Sequence, residues 1–122
     1  MGEAAITLYG IANCDSVRKA RKWLAERGVD YRFHDFRKDG LDERQLRAWV
    51  AELGWEALLN RRGSTWRKLP ETVRATVNRK AAADIMLKHP ASIRRPVLEH
   101  GGKLYLGFSA DSYRAIFDRS AS

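Results

Sequence analysis

The sequence predicts an α/β fold with a mixed sheet of about four strands and an inserted helical segment. Three observations carry this. An apolar run from Ala5 to Gly10 passes through a short polar turn into a helical period and then into a second strand pattern. Amphipathic helical patterns fill the middle of the chain, from about residue 41 to about residue 89. The tail reads as a β-hairpin followed by one last helix.

Each element has a local reason. Ala5 to Gly10 is β-prone and apolar, as in a buried strand, and Val17, Ala20, Trp23 and Leu24 then follow the helical period. Asn13 and Asp15 suit a helix cap, and Arg27-Gly28 supplies the stop. From Asp30 to Phe36, Tyr31, Phe33 and Asp35 alternate with Arg32, His34 and Phe36, which predicts a second strand. Strand, helix of about 12 residues and strand make a β-α-β unit with parallel pairing. Lys38-Asp39-Gly40 turns the chain, and Asp42 caps a helix with Leu46, Trp49, Val50 and Leu53 on one face, ending near Gly54.

Trp55 to Asn60 reads as a further short helix, and Arg61 to Trp66 as a turn that breaks it. Two more helical pieces are expected, Glu71 to about Val77 and Ala81 to Lys88, stopped by His89-Pro90. Pro96 to His100, the Gly101-Gly102 turn and Lys103 to Leu106 form the hairpin signal. Ser109 caps the last helix, which carries Tyr113, Ile116 and Phe117. The order β-α-β, helical block, β-β-α is that of a thioredoxin-like domain carrying a helical insertion.

The length of 122 residues suits a single domain, 1–122, that buries its core without staples. One cysteine excludes an internal disulfide framework and a cysteine-rich zinc site, and fits a reducing, cytoplasmic compartment. The first residues, Met-Gly-Glu-Ala-Ala, lack the pattern of a signal peptide, and no apolar run is long enough for a membrane span. The net charge of +8 is spread along the chain, with no aromatic RNA-binding motif or helix-turn-helix pattern, so nucleic acid is not the expected partner. His34, His89 and His100 read as surface or strand-end residues, and no spacing of His, Cys, Asp or Glu suggests a metal site.

Cys14 is the residue on which chemistry is expected. A lone cysteine commonly behaves as a small buried hydrophobe. Here Asn13, Asp15 and Ser16 surround it with polar groups, and it follows a strand end at the start of a helix. Free N–H groups and the positive end of the helix dipole favour a thiolate there.

Three stretches, Tyr9 to Ala20, Gly54 to Leu69 and Ile93 to Leu98, closely resemble the YffB-like branch of the arsenate reductase (ArsC) family over roughly residues 5 to 118. The redox-sensing Spx transcription regulators resemble the same fold. The resemblance implies a nucleophilic or redox role for Cys14, and Asn13 and Asp15 beside it are expected to help bind substrate or glutathione. It places an anion-binding arginine in the loop Arg61-Arg62-Gly63, which by composition alone reads as a solvated basic turn. Either Arg61 or Arg62 fits the family position. It also implies that Pro96 is cis and that Arg95 projects into the site, with Arg94 the weaker candidate. Trp66, beside the arginine loop, is a candidate wall for it, whereas Trp23, Trp49 and Trp55 read as packing anchors.

The chain departs from the arsenate reductases it resembles. They carry a His four residues before the cysteine, where this chain has Gly10, and a Ser three residues after it, where it has Val17. They use a third arginine after the last hairpin, where Leu106-Gly-Phe-Ser109 has none. Losing that cation removes about 1.5 to 3 kcal/mol of charge-assisted bonding to an oxyanion. The expected function is therefore glutathione-dependent thiol-disulfide reduction through one cysteine, ahead of arsenate reduction. A regulator binding RNA polymerase, like the Spx proteins, is the alternative of another class. No bound cofactor and no metal are expected. Glutathione is the expected co-substrate, an oxidised thiol the substrate, glutaredoxin a candidate partner, and the chain is expected to be a monomer.

Overall fold

The computed structural model describes residues 6–118. Ala5, expected to open the first strand, lies outside them. The described residues form two compact units, one built from 6–35 together with 95–118, the other from Phe36–Arg94. Along the first unit run β1 (Ile6–Gly10), α1 (Asp15–Glu26) and β2 (Arg32–Asp35). The second contains the short helices α2 (Phe36–Asp39), α4 (Trp55–Leu58), α5 (Ser64–Arg67) and α6 (Glu71–Ala75). Its longer helices are α3 (Glu43–Leu53) and α7 (Arg79–Lys88), and a 3-10 turn, Pro90–Ser92, follows them. The chain then returns to the first unit as β3 (Val97–His100), β4 (Lys103–Leu106) and α8 (Ala110–Asp118).

The sheet is mixed, in the order β2-β1-β3-β4, and the fold is thioredoxin-like. β1 pairs parallel with β2, with Gly10 opposite Asp35, and antiparallel with β3, with Leu8 opposite Leu98. Parallel pairing follows from the crossover through α1, since a helix must return the chain to the same end of the sheet. Leu8, Ala20, Leu24, Leu98 and Tyr113 form its buried centre, with Trp23, Phe108 and Phe117 packed around them. Tyr113 meets Trp23 and Phe108 edge to face, at ring separations of 5.6 and 4.7 Å. Arg27 at the end of α1 pairs with Asp118 of α8 at 3.2 Å.

In the helical unit, α3 packs against α4 and α7. Its buried face is Leu46, Trp49 and Val50, and Gly54 ends it with a φ of +90°, a backbone state natural only to glycine. Asp42 caps α3 by accepting the Arg44 N–H at 3.0 Å. Asn78 caps α7 by accepting the Ala81 N–H at 2.9 Å.

Several boundaries differ from the sequence expectation. The second strand stops at Asp35, because Phe36 buries its ring near Trp49 and opens α2. The stretch from Arg61 to Trp66 is not all turn: Ser64–Arg67 is helical, and Trp66 is buried within this unit. The helix ending at Lys88 starts at Arg79, since Asn78 supplies the cap and Lys80 continues the turn. The helix from Glu71 ends at Ala75, two residues before the expected Val77. Pro96 precedes the hairpin, whose first strand begins at Val97.

Leu98→Ala removes a fully buried side chain from the sheet core and should cost about 2–5 kcal/mol, while Asp42→Ala removes a cap worth about 1 kcal/mol. Urea unfolding of the two variants should give that order.

Candidate active site

The site begins where the central strand stops. Gly10 is buried, and a Cβ there would lie 2.6 Å from Val17 Cγ2, closer than side chains tolerate. Val17 is itself fully buried, so strand end and helix start pack directly on each other. Four residues, Ile11 to Cys14, make the turn, closed by the Cys14 N–H donating to the Ile11 carbonyl at 3.2 Å. Cys14 is the N-cap of α1 with extended backbone, and its carbonyl accepts the Arg18 N–H at 2.9 Å.

This corrects the capping expectation. Neither Asn13 nor Asp15 caps the helix: Asn13 is an exposed turn residue, and Asp15 is the first helical residue, paired with Lys19 at 3.2 Å and Arg18 at 3.8 Å. Cys14 makes no short side-chain capping bond, yet the N–H groups of Val17 and Ser16 act on its sulfur. Burial pushes the half-buried thiol up. The Val17 amide, the Arg95 hydrogen bond and charge, and the Ser16 amide outweigh it and hold the thiol below its ordinary value.

Arg95 reaches Cys14 from the segment before β3, and the Arg95–Pro96 bond is cis, as the resemblance implies. The structure thus brings Asn13, Cys14, Asp15, Arg95 and Pro96 into one unit. Arg61 and Arg62 belong to the helical unit, on the loop between α4 and α5. The Arg61 guanidinium lies 5.2 Å from the Trp55 ring centre, and the Arg62 N–H donates to Asn60 Oδ1 at 3.0 Å. Arg94 also belongs to that unit: its Nε donates to the Ala57 carbonyl at 2.9 Å and its N–H to the Leu58 carbonyl at 2.8 Å. Arg94 is a structural arginine and Arg95 the one facing the thiol.

The segment directly after the last hairpin, Leu106-Gly-Phe-Ser109, carries no cation. Gly107 donates its N–H to the Pro96 carbonyl at 2.9 Å, and Phe108 packs on Tyr113. No histidine figures among the groups acting on Cys14, and among the described residues no group of three or more His, Cys, Asp and Glu is placed to hold a metal ion. No helix of the described residues is long and apolar enough to cross a membrane.

Two contributors escaped the sequence reading. Gly10, read as the end of the first strand and as a departure from the arsenate reductases, is also where the helix packs onto that strand, a close approach that a strand glycine permits. Asp35, read as one alternating position in a strand, is 5% exposed and accepts the Ala12 N–H at 3.2 Å.

The chain is similar to known proteins over most of its length. The ArsC family model matches residues 9–116. The solved YFFB protein is 48% identical, with a TM-score of 0.86 over 90% of this chain and 96% of its own. An arsenate reductase (ArsC) related protein from Brucella melitensis is 49% identical, with a TM-score of 0.78 over 96% of this chain and 98% of its own. An uncharacterized protein of Haemophilus influenzae is 41% identical over 92% of this chain and 98% of its length.

Three outcomes test the site. Arg95→Ala should move the pH profile of Cys14 alkylation upward, because it removes a hydrogen bond and a positive charge that favour the thiolate. The sign extends to stability: a depressed thiol pKa adds stability above the unfolded thiol's pKa, and the gain is lost as pH falls through the folded value. Wild type should therefore gain on Cys14→Ala as pH rises, in thermal unfolding across the series. Separately, Gly10→Ala should destabilise by about 1–3 kcal/mol through overpacking, and adding Val17→Ala should recover part of that loss in chemical unfolding.

Proposed function

The chain belongs to the ArsC family, and from that premise we propose that it is a thiol-disulfide reductase that uses Cys14 and glutathione. Its relatives support a thiol-reductase type of function. The observation that carries the finer reading is the half-buried thiol at the head of α1, favoured as thiolate by two backbone amides and one guanidinium. Such a thiol is both nucleophile and leaving group at neutral pH.

The substrate is a disulfide formed between a thiol and glutathione. Cys14 thiolate attacks the glutathione sulfur, a Cys14–glutathione disulfide forms, and the substrate leaves as thiolate, which takes up a proton. A second glutathione, as thiolate, attacks its counterpart on Cys14, giving oxidised glutathione and regenerating Cys14 thiolate. Each exchange breaks one S–S bond and makes one, and the sequence needs no second cysteine, of which the chain has none. Arg95 stabilises the leaving Cys14 thiolate and holds a glutathione carboxylate, for which a planar guanidinium is suited. The backbone preceding Pro96 pairs with the cysteinyl segment of the tripeptide. Reduction of arsenate is the lesser reading, because Gly107 and Phe108 stand where a third cation is wanted and Val17 fills the space beside Gly10.

The test is turnover of a glutathione mixed disulfide in the presence of glutathione. Wild type should be active and Cys14→Ser inactive. Calorimetry should show Arg95→Ala binding glutathione weaker by about 1.5 to 3 kcal/mol, the range for a hydrogen bond to a charged group. Arg61→Ala and Arg62→Ala should differ from each other, since one family position cannot be filled by both. Robust arsenate reduction with glutathione affinity indifferent to all three arginines would overturn the reading. Polymerase capture without turnover would favour a regulator like the Spx proteins it resembles.

A further inference from the structure

We propose that Asp35 is a positioning residue for Cys14: its buried carboxylate holds the Ala12 amide and so fixes the turn that delivers the cysteine to the head of α1. The proposal rests on the reading of Cys14 as a working thiolate. Parallel pairing places Asp35 opposite Gly10, at the end of β2 and beside the point where β1 gives way to the turn. There its carboxylate, 5% exposed, accepts the Ala12 N–H at 3.2 Å through Oδ2. A carboxylate is costly to remove from water unless fixed donors meet it, so an acid at this place is bound into its surroundings.

The turn needs such a tether. Ala12 and Asn13, its two central residues, are both exposed and bring no apolar anchor. Ile11, 5% exposed, is packed, and the Ile11 carbonyl to Cys14 N–H bond closes the turn on itself. Asp35 supplies the tether two residues before the sulfur. Orientation matters because the Val17 and Ser16 amides and Arg95 act on the sulfur through directional bonds, and hydrogen bonds weaken steeply when misaligned. At the head of α1, Asp15, Arg18 and Lys19 are exposed, and Arg18 and Lys19 each pair with Asp15.

The test compares Asp35→Ala, Asp35→Leu and Asp35→Asn by iodoacetamide alkylation of Cys14 against pH, with hydrogen exchange at the Ala12 amide. Asparagine keeps a carbonyl oxygen for Ala12, whereas alanine and leucine remove it, and leucine keeps the branched shape should the alanine variant not fold. Asp35→Ala or Asp35→Leu should shift the profile to higher pH, slow alkylation about threefold or more at mildly acidic pH, and speed Ala12 exchange. Asp35→Asn should keep the wild-type profile. An unmoved profile in the folded alanine or leucine variant, or an asparagine variant as impaired as they are, would overturn the positioning role alone. A wild-type thiol titrating in the ordinary range would overturn the proposed function, and this role with it.

Discussion

The contact between Gly10 and Val17 is the constraint on which the first unit's chemistry depends. With no side chain at position 10, the first turn of α1 seats its valine directly on the end of the central strand. The chain can then reverse in four residues, and those four residues set Cys14 as the cap of the helix. Val17 serves twice: its side chain is fully buried beside the strand end, and its amide acts on the sulfur. Packing and thiol activation are thus coupled through one residue.

The electrostatics around Cys14 are a contest that the donors win. Partial burial disfavours the thiolate, and the same withdrawal from water strengthens each amide and guanidinium that faces it. Arg95 supplies the side-chain share of those influences and sets a cation beside the thiolate. The segment after the hairpin, where a further cation would enlarge the site's capacity for a multiply charged oxyanion, is given over to aromatic packing by Phe108 on Tyr113. That economy fits sulfur exchange, in which a single negative charge moves between sulfurs.

Neighbouring residues of one kind have been put to different uses. Arg94 spends its donors on the carbonyls of Ala57 and Leu58, fastening the end of the helical unit, where Leu59 also bridges Ile93. Arg95, one residue on, belongs to the sheet unit and faces the thiol. In the helical unit Arg61 leans over Trp55, and Asn60 orders the turn by accepting the Arg62 amide, so this basic loop has a defined local shape.

Element order, parallel pairing, the hairpin and the caps at Asp42 and Ser109 were legible in the sequence, because each depends on periodicity or on side chains a few residues apart. So was the promise of Cys14, since a polar cysteine between a strand and a helix is a local pattern. Tertiary structure decided what depends on distant partners. The second strand ends at Asp35 because Phe36 finds Trp49, and a helix forms at Ser64–Arg67 where turn residues suggested a loop. The cap of α1 is the cysteine itself, although Asn13 and Asp15 are the better capping residues by type, because Gly10 and Val17 fix where the helix begins. Asp35 binds Ala12 across 23 positions of sequence, and Arg95 meets a thiol from the far end of the chain. Hydrogen bonds and charges act over a few ångströms of space, so only the pairing of β1 with β2 and β3 could say which polar residues would meet.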